Sequence, residues 1–156
     1  TYRYFHGEPL FRFGYGLSYT QFRLDNLQFS PGKIQAGGEV TVGCDVTNTG
    51  DRAGDEVVQL YIRHPQATVP RPIRELKGFA RVKLEPGETK TVTFALHTDL
   101  LAIYNDAMRH VVQPGTVDLM VGNSSDNLPL TGQLEIAGPP AEVRRDKVFF
   151  SSTQIK

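Results

Sequence analysis

Hydrophobic and polar residues alternate along most of the chain. Between Glu39 and Asn48, the residues Val40, Val42, Cys44 and Val46 fall on one parity, with Glu39, Thr41, Gly43, Asp45 and Thr47 on the other. A period of two sends successive side chains to opposite sides of an extended backbone, so the segment is predicted to be a strand with one buried and one wet face. Val92, Phe94 and Leu96 against Thr91, Thr93 and Ala95 predict another strand, and Val117, Leu119 and Val121 against Thr116, Asp118 and Met120 a third. From Glu56 to Arg63 both parities are largely apolar, Val58, Leu60 and Ile62 alternating with Val57, Gln59 and Tyr61, which suits a central strand. Leu128 to Ile136 reads as the last strand. Phe22 and Leu24 share a parity that Leu27 and Phe29 do not, so a strand here must bulge or twist near Asp25 and Asn26 to keep all four inward.

Turn chemistry agrees with this reading. Pro31-Gly32, Pro86-Gly87 and Pro114-Gly115 each precede a strand and predict type II turns, in which proline presets the first central φ and glycine accepts the positive second one. Asn48 to Asp51 is another turn, and Gly122 to Asn127 reads as a hairpin loop. No window sustains a helical stripe; Thr98 to Tyr104 allows one short turn capped by Thr98 or Asp99. Arg71 to Phe79 concentrates charge and proline around a few apolar residues, as an edge strand guarded against sheet-to-sheet pairing does, and docking to a neighbouring domain is the alternative reading. About seven strands in series point to an all-β, immunoglobulin-like antiparallel sandwich.

Three regions follow. Residues 1–20 form a leader dense in rings and glycine, with Tyr2, Tyr4, Phe5, Phe11, Phe13, Tyr15 and Tyr19 but no clean alternation, and those rings need a partner surface. Residues 21–137 hold the alternating strands. Gly138-Pro139-Pro140 ends the last of them, and residues 138–156 form a C-terminal tail that is either disordered or docked through Val148, Phe149 and Phe150.

Composition narrows the function. The 156 residues suit a single core, and 17 basic against 17 acidic side chains leave no positive reservoir for a phosphate backbone. Neither nucleic acid nor a membrane is an expected partner; the longest apolar runs fall well short of the ~20 residues that span a bilayer. Cys44 is the only cysteine, so no internal disulfide and no zinc-thiolate cluster is available.

No catalytic constellation emerges either. A Gly-x-Ser-x-Gly elbow is absent, and Cys44 sits at an inward strand position. His6, His64, His97 and His110 lack metal-ligand spacing, so neither metal nor cofactor is expected. Gly14 to Ser18 neither follows a strand nor opens a helix, and reads as backbone turning near packed rings rather than a phosphate loop. Glu56, Glu75, Glu85, Glu88 and Asp118 are expected to be solvated acids at turns or wet strand positions. Asn123-Ser124-Ser125 fits the glycosylation triplet, a match that arises often by chance.

Several longer motifs carry a resemblance. Thr1 to Phe5 followed by Pro9 to Thr20, then Val46 to Tyr61, Arg74 to Phe79, Leu84 to Glu88, and Gln113 to Ser125, occur in the order seen at the C-terminal end of glycoside hydrolase family 3, the β-glucosidases and β-xylosidases. The chain resembles that family's fibronectin type III-like domain from Thr1 to about Ile136. The resemblance implies an enzyme whose barrel and α/β domains supply the reacting carboxylates, with this chain as a non-catalytic accessory domain, in a secreted or periplasmic setting. It departs from relatives at His110, where tryptophan is common, and at Val117, where ordinary fibronectin type III domains favour tyrosine. No catalytic residue carries over. The implied partners are the catalytic domains of the same polypeptide, met through Phe11, Phe13, Tyr15, Leu17 and Tyr19. An oligosaccharide is the rival partner, bound by a carbohydrate-binding module or by a loop at residues 64–71, or a tail, that shapes a substrate subsite.

Overall fold

The computed structural model describes residues 7–65, 71–143 and 148–156. Tyr2, Tyr4 and Phe5, the middle of the 64–71 loop, and Arg144 to Lys147 lie outside the described residues.

Two sheets face each other. One has the order β1 (Phe22–Ser30), β3 (Glu39–Asn48), β6 (Thr89–His97), β12 (Ser152–Ile155). The other runs β2 (Lys33–Gln35), β10 (Leu130–Ala137), β9 (Gly115–Gly122), β4 (Gly54–Arg63), β5 (Glu75–Leu84). A small third sheet joins β7 (Ile103–Tyr104), β8 (His110–Val112) and β11 (Ala141–Glu142). The β-sandwich expected from the alternation is therefore present, and its core is the set of inward parities: Val40, Val42, Cys44 and Val46 meet Val58, Leu60 and Ile62 across the interior, with Phe94, Val117, Leu119 and Leu134. Burial pushes the Cys44 thiol up to about 12, with Asp45 adding to the effect, so it packs as a small apolar group.

The irregularity expected in β1 is a register shift between Asp25 and Gln28 in its pairing with β3. Asn26 takes φ +52° there and donates to the Asp45 carboxylate at 2.7 Å. Phe22, Leu24, Leu27 and Phe29 all pack against the core as a result. The bonds from Asn26 and Thr91 hold the Asp45 carboxyl below the usual carboxylate range.

Other details differ from the sequence reading. Gly87 has the positive φ of a type II turn, but at Pro31-Gly32 the Ser30–Pro31 bond is cis and Gly32 stays outside the left-handed region. The helical turn Thr98–Leu101 is capped by His97, whose Nδ1 accepts from the Asp99 amide at 3.2 Å. Thr98 is instead buried, its hydroxyl accepting from Gly37 N at 2.8 Å. The charged segment does lie at a sheet edge, yet the strand starts only at Glu75 and continues to Leu84. After Gly138 the chain pairs twice, β11 with β8 and β12 with β6. Backbone pairing makes that second contact, while Phe149 and Phe150 stay exposed.

One bulge decides what the outer face of the second sheet presents. Gly78 lies opposite Leu60 and Leu76 opposite Tyr61, so Lys77 is an extra residue in β5. Ala80, Val82 and Leu84 point inward. In an unbroken ladder through Lys77, Leu76 would share their parity; the bulge sets Leu76 beside Tyr61 on the outer face instead.

Candidate interdomain surface

The leader lies on that outer face. Gln59 and Tyr61 are on the outward parity of β4, and both are almost fully buried because the leader covers them. Arg12 to Tyr15 form a tight turn closed by Tyr15 N to Arg12 O at 3.1 Å. Gly14 takes φ +79° in it, and a Cβ there would lie 2.4 Å from Gln59 Oε1, so backbone conformation and close approach both require glycine. The Gln59 side-chain amide donates to Gly14 O at 3.3 Å and to Asn123 O at 2.5 Å, and its oxygen accepts from the Tyr61 hydroxyl at 2.7 Å. Ser125 N donates to Phe13 O at 2.9 Å, and Arg12 pairs with Asp126 at 3.5 Å. The leader's main chain is thus tied to the β9–β10 loop and to the middle of β4.

Its apolar side chains remain half to almost fully exposed. Phe11 is 69% exposed, Phe13 50%, Tyr15 52%, Leu17 89% and Tyr19 95%. Phe11 and Tyr15 stack at 5.8 Å. All five expected contact residues therefore lie on one outward-facing segment.

Between the leader and the head of β5 runs a cleft of about 510 Å³. Pro9, Phe11 and Phe13 form one wall, Tyr61 and Leu76 lie across from them, and Arg74, Glu75 and Asp126 supply charge. Glu75 is not the solvated acid that sequence suggested: its side chain is 16% exposed and lies 3.1 Å from both Arg71 and Lys77. Asp118 is likewise largely covered, bridged by Arg63 at 3.0 Å and Gln133 at 3.1 Å. In the triplet at Asn123, the side-chain amide donates to Glu56 at 3.2 Å and its oxygen accepts from Asn127 at 2.8 Å. Among the described residues no three His, Cys, Asp or Glu side chains gather as a metal would require.

His64 sits near this charged group, and sequence gave no sign of its state. Its Nε2 is buried without a hydrogen-bond partner among the described residues. Burial, reinforced by Arg71 and Lys77 and opposed by Glu75 and Asp118, pushes its pKa from 6.5 down to about 4. The folded state therefore keeps the ring neutral, while below pH 6.5 the unfolded chain gains a proton that the folded one does not. Stability is expected to fall by about 2 kcal/mol as pH drops from 6.5 towards 4. Urea unfolding across that range checks this, and His64→Phe should flatten the dependence.

Comparisons with known proteins agree with this architecture. Residues 56–125 match the family described as fibronectin type III-like domain. The chain is 50% identical over 124 residues to a β-xylosidase of Formosa agariphila and 41% identical over 127 to a periplasmic β-glucosidase of Salmonella typhimurium, covering 80% of this chain and 17% of each relative. Among solved structures, β-glucosidase 3B from Thermotoga neapolitana in complex with glucose superposes with a TM-score of 0.80 at 35% identity, covering 91% of this chain and 19% of that one. A β-glucosidase from Listeria innocua gives 0.77 at 37% identity, covering 85% and 18%. The match thus spans less than a fifth of each of these proteins, and within that share sequence and fold agree: the chain is a fibronectin type III-like domain of the kind carried by β-glucosidases and β-xylosidases of glycoside hydrolase family 3.

Proposed function

We propose that the chain is a non-catalytic accessory domain that braces the catalytic domains of a β-glucoside- or β-xyloside-cleaving polypeptide. Phe11, Phe13, Tyr15, Leu17 and Tyr19 are the contact residues. The observation that supports this is the contrast within the leader: hydrogen bonds fix its main chain to the sandwich, yet its rings face outward. An apolar strip held in place but left uncovered is suited to burial against another body. Burying the remaining half of the Phe13 ring would contribute roughly 1 kcal/mol or more. The brace would hold the second domain's carboxylic acid at a fixed distance from the barrel, and the chain itself supplies no reacting group.

Phe13→Ala in the full-length polypeptide should lower its thermal midpoint by several degrees, a larger drop than in the isolated chain, while turnover of a chromogenic glycoside keeps its order of magnitude. Equal drops in both contexts would remove Phe13 from the interface. Titration calorimetry of the isolated chain with cello- and xylo-oligosaccharides should release no heat; saturable heat would favour a carbohydrate-binding role instead.

A further inference from the structure

The cleft beside the leader has an electrostatic feature that bracing through rings alone does not use. Its two lining carboxylates already have cationic partners: Asp126 pairs with Arg12, and Glu75 lies between Arg71 and Lys77. Arg74, half-buried in the same lining, has no carboxylate partner among the described residues; its guanidinium donates to the main-chain oxygen of Ser125. Of the charged side chains lining the cleft, Arg12 and Arg74 are cationic and Glu75 and Asp126 anionic, and Arg74 is the lining cation that neither carboxylate pairs. A guanidinium stripped of part of its water beside Phe11, Phe13 and Tyr61 gains most from a carboxylate, whose two oxygens match its planar fork. The apolar walls strengthen such a pair by excluding solvent.

We propose that this cleft receives an acidic side chain from the neighbouring domain of the same polypeptide, seated on Arg74 between the leader rings and β5. The proposal rests on the bracing role and adds an anchor to it. The cleft adjoins the exposed ring strip through Phe11 and Phe13, so one docking event covers both. A neutral oligosaccharide would leave the Arg74 guanidinium without a carboxylate.

A carbodiimide condenses a carboxylate with an adjacent amine at zero length, taking up the water that is lost. Applied to the full-length polypeptide bearing Arg74→Lys, it should link position 74 to an Asp or Glu outside these 156 residues, identified by peptide mapping and absent from Arg74→Gln. A link only to Glu75 or Asp126, or no link in a variant that keeps its thermal midpoint, overturns the proposal. A measurement without substitution guards against misfolding: Arg74 should react with phenylglyoxal at least tenfold more slowly in the full-length polypeptide than in the isolated chain. Equal rates overturn the proposal too, and so would protection of the isolated chain by added oligosaccharide without protection in the full-length polypeptide. If Phe13→Ala still destabilises the full-length polypeptide selectively, the bracing role survives and only the anchor fails.

Discussion

Asn48→Asp is expected to cost the fold about 3–4 kcal/mol, more than most single substitutions. Asn48 is fully buried. Its amide nitrogen donates to Arg52 O at 2.7 Å and Leu84 O at 3.1 Å, and its amide oxygen accepts from the Thr20 hydroxyl at 2.8 Å and Gly50 N at 3.1 Å. Its main chain bonds Glu88 O and Gly87 N. One side chain therefore joins the β3–β4 turn, the β5–β6 turn and the end of the leader. Aspartate keeps the shape but turns a carboxylate oxygen towards two carbonyls, leaving both without a donor and a charge in a dry site. Urea denaturation should show a midpoint more than 1 M lower with an unchanged slope, taking a slope of roughly 1–3 kcal/mol per M. A midpoint near the parent's would mean that water reaches the site. Thr20→Val, which removes one of the four side-chain bonds, should cost about 1 kcal/mol.

The second large effect concerns the leader. Gln59→Leu should destabilise the chain by about 2–3 kcal/mol, because the carbonyls of Gly14 and Asn123 each lose a donor and the Tyr61 hydroxyl loses its bond to Oε1. Its distinguishing sign is local. Amide hydrogen exchange at Tyr15 and Ser125, whose protons bond within and across the leader contact, should quicken at least tenfold, while strand amides in β3 and β6 slow or quicken only with global stability. Uniform acceleration everywhere would mean that Gln59 supports the sandwich as a whole rather than the leader's attachment.

The strands were legible because parity is a local property. Val40 to Val46, Val92 to Leu96 and Val117 to Val121 each carry their own alternation, and the break in β1 announced itself as a parity change between Leu24 and Leu27. The ring strip was legible as composition, and the apolar character of both faces of β4 was legible as a central strand, which lies between β9 and β5. That the leader covers Tyr61 depends on Gln59 reaching Gly14 and Asn123, residues 45 and 64 positions away. The cleft was hidden for the same reason. Glu75 looked wet because its own strand pattern is charged, and only the convergence of Arg71 and Lys77 on it takes it out of water. Short pairings such as β7 with β8, two and three residues long, are too brief for alternation to register. The same holds for β12, which lies far in sequence from β6 and has no apolar face of its own to announce it.

The extra residue at Lys77 has a consequence for how this segment can change over generations. Along most of the outer surface, exchanging one side chain for another alters a contact and nothing more. Between Leu76 and Gly78, arithmetic governs instead: losing Lys77 would leave Leu76 opposite Tyr61 in an unbroken ladder, keeping the far wall of the cleft while removing one of the cations on Glu75. Descendants can therefore shed this position without turning the strand over, and a one-residue gap there in a relative would mark a straightened edge and a Glu75 without its lysine.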